Sequence, residues 1–355
     1  MDKKLSIKIA TISFLLMLHV VVVHSVNINY DPNGNNIVWF IENFISFRLV
    51  KVVIPLFFFI SGYLFFLSIA PGVNDTPNTF KEKIGKRFKT LGIPYLFWCT
   101  FWFAVIFILQ LIPQLSSFFS TPLQKMTLWQ QFWNLYIEPI NYPLWFLREL
   151  LLYVMITPLL YWLVKKFKLA VPAVFFLLSL FYLGIEVLEI YIYRFHMLVY
   201  YTIGIYLAIH KNGLKYRLNV GMQILSMIVF LGICALLIWF DINNIDVKTW
   251  PIRLISNVAT AIGVISVWSL YDYFDDRFHF QQHSVFSYGF IIYAMHGIPI
   301  LYLKEALVKF FEPSKPMALV FYVVSFTSVI LVCLFFGMML KKLSPKIYLF
   351  TTGNR

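Results

Sequence analysis

Ten long apolar runs, separated by short polar segments, make up most of the chain. Each run is close to the 20 or so residues that an α-helix needs to cross the hydrocarbon core of a bilayer. The runs fall near residues 7–26, 48–69, 92–112, 144–164, 169–187, 195–210, 218–240, 251–271, 285–302 and 317–340. Charged residues are 13% of the chain, about half of the 25% that is usual in soluble domains. The pattern predicts an all-α polytopic membrane protein in which residues 1–355 form a single bundle of about ten transmembrane helices.

Lysine and arginine are divided unevenly between the polar segments. With the N-terminus inside, the inner segments hold most of these cations, including the cluster at 81–89. The positive-inside rule then predicts a multi-pass protein of the bacterial inner membrane with both termini in the cytoplasm. The sixth run, 195–210, is short, and without it the count becomes nine and the C-terminus changes side. Since no small-residue cleavage site follows the first run, we expect that run to remain as a helix.

The positions of the charged residues and of the cysteines argue against nucleic acid and metal ions as partners. The net charge of +13 lies in short clusters beside apolar runs, as expected next to anionic membrane lipids rather than nucleic acid. Cys99, Cys234 and Cys333 lie inside apolar runs and share no metal-ligand spacing. They are interpreted as small packing residues, and no metal is expected.

A histidine closes the first apolar run. Because ionisable groups are costly in membrane helices, His24 is a candidate functional residue that could exchange a proton near neutral pH. The alternative is that its ring reaches the interface or hydrogen-bonds a carbonyl. His19 competes for the role, but five residues apart on a helix the two rings point about 140° away from each other.

Further cations and a second histidine are predicted at the same membrane depth as His24. Arg48 and Lys51 begin the second run, Arg148 lies in PLWFLRELLLY of the fourth, and His296 lies in YAMHGIP of the ninth. Beside a cation that stabilises an oxyanion, a histidine could deprotonate a hydroxyl, which is the requirement for acyl transfer.

These residues also have plainer interpretations. Arg48 and Lys51 could contact lipid phosphates, and His296, close to Gly297 and Pro299, could cap or pack a broken helix. Glu149 points about 100° away from Arg148 on a helix, which favours a functional role for Arg148.

On the predicted inner side, FKEKIGKRFKTLGIPYLFW carries clustered cations. Lys86, Arg87 and Lys89 could anchor the chain to the membrane. They could equally hold the phosphates of a nucleotide-like donor, since clustered cations supply charge and hydrogen-bond donors to phosphate oxygens.

Several stretches in this order resemble the acyltransferase 3 family of integral-membrane acyltransferases, which includes O-acetyltransferases of bacterial surface polysaccharides. They are VVVVHS, KVVIPLFFFISGYLFF, KRFKTLGIPY, PLWFLRELLLY and SYGFIIYAMHGIP. The resemblance implies a ten-helix bundle that moves an acyl group, most often acetyl from acetyl-CoA, to an acceptor hydroxyl at the outer face. It also implies that His24 is the essential histidine and that basic positions including Arg87 hold CoA. In two places the chain departs from the family, with Ser13 and Thr90 standing where the family commonly has arginine.

The resulting hypothesis is an acetyl-CoA-dependent O-acyltransferase of a cell-envelope saccharide or lipid-linked sugar. His24 and Arg148 are the candidate catalytic residues, and Trp145 and His296 are candidate acceptor contacts. Lys51, Arg48, Lys86, Arg87 and Lys89 are the candidate donor-binding residues, and Lys51 could also stabilise charge at the thioester. The alternatives are a carrier of saccharides or acyl-sugars without transfer chemistry, which also suits intramembrane cations, and a structural or sensory subunit.

Overall fold

The structure, a computed structural model, describes residues 2–26, 37–67, 69, 75–116, 119, 122–187, 190–210, 217–246, 248–311 and 315–354. Within these ranges the chain is almost entirely helical. The α-helices are α1 Lys3–His24, α2 Ile37–Asn43, α3 Val53–Phe66, α4 Pro77–Arg87, α5 Ile93–Gln110, α6 Pro113–Ser116, α7 Leu128–Phe132, α8 Trp145–Phe167, α9 Ala170–Phe181, α10 Phe195–Ile209, α11 Val220–Ile242, α12 Trp250–Phe278, α13 Gly289–Met295, α14 Gly297–Phe311, α15 Lys315–Leu343 and α16 Pro345–Thr352.

Turns of π- and 3-10-helix join several of these helices. The π-turns are Phe44–Arg48, Phe88–Gly92 and Trp133–Ile137, and the 3-10 turns are Leu49–Val52, Leu123–Lys125, Tyr142–Leu144 and Ser284–Tyr288. Through such turns α2 continues into α3 and α4 continues into α5. The second predicted run therefore begins earlier than expected, at Ile37, in a segment that was predicted to be a loop. Residues 27–36 of that predicted loop lie outside the described residues.

The multi-pass membrane architecture is confirmed, whereas the count of ten spans is not. In the described part of the chain, seven helical segments are long and apolar enough to cross a bilayer, and an eighth is formed if α13 and α14, bent by 66°, count as one span. The remaining predicted runs correspond to the shorter apolar helices α9 and α10.

The prediction was wrong for the end of the fifth run, 169–187. Helix α9 ends at Phe181, and a hairpin follows, in which β1 Gly184–Val187 pairs antiparallel with β2 Ile190–Arg194. β-branched and aromatic residues dominate these strands, and such residues favour a pleated, half-buried surface. A short apolar run of this kind cannot be distinguished from a helix by hydrophobicity alone.

Helices α3 and α10 pack with their backbones in close approach. A side chain at Gly62 would place its Cβ 2.3 Å from the carbonyl oxygen of Tyr201, and one at Gly204 would place it 2.3 Å from that of Phe59. Small residues allow such approach between membrane helices. The glycine of the Ser-Gly-Tyr motif is thus required by packing.

Helix α1 lies at the centre of the packing that positions the site. It contacts α3, α12, α13, α14 and α15. Near its N-terminus the buried Lys8 donates to Asp272 of α12 at 2.8 Å. The opposite end, which carries His24, is the end at which Lys51, Trp145 and His196 also lie.

Candidate active site

Two cavities lie at opposite ends of α1. The His24 cavity has a volume of about 580 Å³ and is lined by Val20, Val23 and His24 of this helix. The Arg87 cavity has a volume of about 680 Å³ and is lined by α1 residues nearer the N-terminus, from Ile9 to Met17. The order of residues along one helix therefore places the cavities one above the other.

Phe146 of α8 and Tyr293 of α13 line both cavities and form a shared wall between them. Their ring centroids are 6.1 Å apart with the rings nearly perpendicular. The Tyr293 hydroxyl donates to the carbonyl of Pro143 at 2.6 Å. Only these two aromatic side chains are common to both linings among the described residues.

His24 faces a second histidine. Its half-buried ring lies 5.3 Å, centroid to centroid, from the ring of the fully buried His296. His296 Nδ1 lies 2.7 Å from the carbonyl oxygen of Tyr293. Because a carbonyl only accepts, Nδ1 is the protonated nitrogen and Nε2 carries the lone pair. That Nε2 is buried and has no hydrogen-bond partner among the described residues.

The break between α13 and α14 is held by the segment before α8. Asn141 Nδ2 donates to the carbonyl of Ala294 at 2.8 Å. A Cβ at position 297 would lie 2.1 Å from Asn141 Oδ1, so only glycine fits beside this side chain. The predicted helix break after His296 is therefore present. Besides ending α13, it fixes the position of the His296 ring.

Two of the predicted cations, Arg48 and Lys51, line the His24 cavity with different partners. Arg48 pairs with Asp241 and donates to the carbonyl of Leu237 at 3.2 Å. Lys51 donates to the hydroxyl of Ser256 at 2.7 Å and has no carboxylate partner among the described residues. Arg48 is thus neutralised by a carboxylate, while Lys51 keeps its charge at the cavity.

The sequence hypothesis requires Arg148 to lie beside His24, but the structure places it elsewhere. Its guanidinium donates to the carbonyl of Ile137, at the end of a π-turn, and it lines neither cavity. The expected convergence of Arg148 with His24 is therefore not observed. The carbonyl at the end of the π-turn, left without a helical partner, takes the guanidinium.

The His24 cavity contains functional groups that sequence reasoning missed. Trp145, the predicted acceptor contact, lines it, and Arg194 lies over the Trp145 ring with its Cζ 4.2 Å from the ring centroid. Arg194 also pairs with Glu149. His196, at the start of α10, lines the same cavity. The sequence does contain a signal for Arg194 and His196, because a cation and a histidine stand together at the start of the sixth run.

His19, the competitor of His24, has a structural partner. One of its ring nitrogens lies 2.9 Å from the carbonyl of Ile45, and the residue lines neither cavity. In the described part of the chain, by contrast, no protein atom hydrogen-bonds the His24 ring.

The cation cluster near Arg87 is divided by the structure. Arg87 lines its cavity, while Lys86 and Lys89 are exposed and do not line it. Lys341 supplies a second cation to this cavity, and Ser13, where the family commonly has arginine, faces it as well. Of the three cations predicted from 86–89, Arg87 therefore lines this cavity whereas Lys86 and Lys89 do not, and phosphate binding stays a prediction.

The described residues contain no group of three or more His, Cys, Asp or Glu side chains that could hold a metal ion. All three cysteines are buried as free thiols. The side chains that line the two cavities carry imidazole, ammonium, guanidinium, hydroxyl and aromatic groups.

Together, the fold and the two cavities define a multi-pass membrane protein with a histidine-lined cavity at one end and an arginine-lined cavity at the other. The chain belongs to the acyltransferase 3 family, because the family model of this acyltransferase domain matches residues 12–338. It is similar to the succinoglycan biosynthesis protein ExoH of Rhizobium meliloti (strain 1021), with 23% identity over 289 residues, which cover 76% of this chain and 71% of that protein. No solved structure matches. The resemblance found in the motifs is confirmed, and the protein is an acyltransferase of the membrane.

Proposed function

We propose that the protein moves an acetyl group from cytoplasmic acetyl-CoA to a hydroxyl of a cell-envelope saccharide or lipid-linked sugar. One observation carries the proposal: His24 and Arg87 line cavities at opposite ends of α1 that share the wall of Phe146 and Tyr293. A donor entering at Arg87 and an acceptor entering at His24 would meet at that wall. The relative is a succinoglycan biosynthesis protein, which supports a saccharide acceptor.

His24 is the proposed general base. It would take the proton of the acceptor hydroxyl, whose oxygen attacks the thioester carbonyl carbon; the carbon–sulfur bond then breaks, and the proton passes to the departing CoA thiolate. Without a protein hydrogen bond among the described residues, the His24 ring has a nitrogen lone pair available for this task. The nearby His296 ring would fix its position.

Lys51 is the proposed stabiliser of developing negative charge. Its ammonium lines the His24 cavity and has a hydroxyl partner, Ser256, that does not cancel its charge. A fixed cation in a partly dry cavity stabilises an oxyanion more strongly than water does. Arg148, the other catalytic candidate of the sequence hypothesis, contacts the carbonyl of Ile137 and lines neither cavity, so the proposal gives it no step in the transfer.

Arg87 and Lys341 fit the phosphates of a CoA donor. Both line the cavity at the N-terminal end, together with the hydroxyl groups of Ser13, Ser284 and Ser287. Guanidinium and ammonium groups supply charge-assisted hydrogen bonds to phosphate oxygens. The aromatic and aliphatic residues toward the wall would contact the slender pantetheine arm.

In this scheme the N-terminal end of the bundle faces the cytoplasm of a bacterial cell, where acetyl-CoA is made. The positive-inside bias of the polar segments supports this orientation for both termini. Reporter fusions at each terminus would test it, and an active periplasmic reporter at either end would contradict it.

The catalytic proposal is tested with the full-length protein in liposomes, supplied with radiolabelled acetyl-CoA and envelope saccharide. His24→Gln is expected to lower the rate of transfer by at least about 100-fold, as loss of a general base does. Binding of acetyl-CoA should remain, since His24 lies at the other cavity. Release of free CoA measures consumption of the donor, and label on the saccharide measures transfer to the acceptor.

His279→Gln is the matched control, because His279 is an exposed histidine beyond the end of α12. It should transfer acetyl at the rate of the unaltered protein. If His24→Gln transfers acetyl as fast as this control, His24 is not the base. If the unaltered protein binds no acetyl-CoA, the donor assignment fails.

A further inference from the structure

The His24 cavity holds more positive charge than the described residues around it balance. Four cationic side chains line it: Arg48, Lys51, Lys248 and Arg253. Within the described ranges, only Arg48 of these four has a carboxylate partner, Asp241. No carboxylate of the described residues lines the cavity itself.

Two of the other three cations have neutral partners. Lys51 donates to the Ser256 hydroxyl at 2.7 Å, and Arg253 donates to the carbonyl of Phe181 at 2.9 Å. The Lys248 side chain is exposed at the rim. Neutral partners hold these cations in place without cancelling their charge, and a half-buried ammonium without a counter-charge is costly.

The cations follow one another across the cavity. The turn Leu49–Val52 packs against both α1 and α12, so Lys51 lies between the helix that carries His24 and the first turns of α12. Those first turns supply Arg253 and also the polar side chains of Ser256 and Asn257. A ligand that reaches from His24 toward α12 therefore meets cations and neutral hydrogen-bonding groups in succession.

We propose that Lys248 and Arg253 form an anion subsite that binds an acidic group of the acceptor, while Lys51, nearer to His24, keeps its charge for the transfer step. The inference rests on the proposed function and assigns its acceptor class: an acidic saccharide, with the reacting hydroxyl at His24 and the acidic group near α12. Lysine and arginine pair with carboxylate and phosphate oxygens alike. The anion is a sugar carboxylate or the phosphate that links a sugar to a lipid carrier.

Direct binding of three small sugars to the purified full-length protein, without any acyl donor, tests the subsite. The probes are methyl glucoside, methyl glucuronide and glucose 1-phosphate; the first two differ by a carboxylate. At least one anionic sugar should bind about 10-fold more tightly than the neutral one, as a charge-assisted hydrogen bond allows. The preference should shrink as salt is added. Preference for the glucuronide alone indicates a carboxylate, and preference for glucose 1-phosphate alone indicates a phosphate.

The double variant Lys248→Gln and Arg253→Gln should bind the anionic sugars no more tightly than methyl glucoside. Lys125→Gln is the control, because Lys125 is an exposed cation that does not line the cavity, and it should keep the preference. Equal binding of all three sugars by the unaltered protein overturns the subsite. A preference for the anionic sugars that persists in the folded double variant also overturns the subsite. If that variant does not fold, the salt series is decisive: a preference that does not shrink as salt is added overturns the subsite.

Failure of the subsite and failure of the proposed function give different results. An anionic preference without acetyl transfer leaves the subsite in place and removes the acetyl-CoA donor. Acetyl transfer to the glucoside, the glucuronide and the sugar phosphate with equal KM overturns the subsite and leaves the donor in place.

Discussion

The two cavities are similar in volume, about 580 and 680 Å³, but they hold their cations differently. At the His24 cavity, a salt bridge, a hydroxyl and a carbonyl fix Arg48, Lys51 and Arg253. At the Arg87 cavity, Lys341 is exposed and contacts Ser287 at 3.3 Å. Most cations of the His24 cavity are thus held by protein contacts, whereas Lys341 of the Arg87 cavity is an exposed side chain beside one hydroxyl.

The comparison is tested most strongly by removing the counter-ion of the His24 cavity. Asp241→Asn would leave the buried Arg48 guanidinium without a carboxylate, at a cost of about 3 kcal/mol in the free energy of unfolding. Asp276→Asn breaks the exposed pair with Arg217 at the other end of the bundle, and its cost should be below about 1 kcal/mol. Thermal unfolding in detergent measures both. Equal losses would show that the two ends do not differ in how they hold charge.

Removing the cation of the other cavity should act on the donor alone. Arg87→Gln is expected to lower kcat/KM for acetyl-CoA by about 10- to 100-fold, through loss of charge-assisted hydrogen bonds to phosphate. The KM for the saccharide should not change. Lys86→Gln, on the exposed side of the same helix, is the control and should alter kcat/KM by less than about twofold. A larger effect of Lys86→Gln would indicate that phosphate binds at the exposed cations Lys86 and Lys89 and not at Arg87.

A steric change at the helix break should disturb the His24 cavity and spare the Arg87 cavity. Gly297→Ala drives a methyl group into Asn141, which should cost about 2 kcal/mol in the free energy of unfolding. Gly232→Ala is matched to it, because a Cβ there meets nothing within 4 Å, and it should be neutral or stabilise by up to about 1 kcal/mol. Unfolding and sugar binding are the measurements. If Gly297→Ala weakens acetyl-CoA binding instead, the two cavities are not separate units.

The smallest effect is expected at the shared wall. Tyr293→Phe removes the hydrogen bond to Pro143 and should cost about 1 kcal/mol in the free energy of unfolding. The ring remains, so the binding of acetyl-CoA and of sugar should be unchanged. Tyr182→Phe, at an exposed tyrosine, should leave stability unaltered. A change in either binding constant would mean that the hydroxyl, and not the ring, forms the wall.

The sequence allowed the helices to be predicted, because apolar runs of bilayer length have few other solutions. It also allowed His24, Lys51, Trp145 and Arg87 to be selected, since each lies near the end of an apolar segment. It did not allow the hairpin after α9 to be predicted, because an apolar stretch of strand residues has the same hydrophobicity as a helix end.

Side-chain directions were predicted less well, for a specific reason. A π-turn carries an extra residue, so it rotates everything beyond it relative to an ideal α-helix. Lys89 lies inside the π-turn Phe88–Gly92, and the carbonyl that takes Arg148 ends another, at Ile137. Ideal helical spacing could therefore not give the direction of Lys89, whereas Lys86, in α4 before the π-turn, points about 100° away from Arg87.

The shared wall of Phe146 and Tyr293 has a consequence for the cell. A continuous aqueous passage between the two entrances would leak protons and dissipate the membrane potential. The nearly perpendicular rings of Phe146 and Tyr293 form a thin apolar plug, through which the narrow thioester arm of the proposed donor could reach without opening a path for ions. Such a plug would allow an acyl group to be transferred across the bilayer while the membrane potential is maintained.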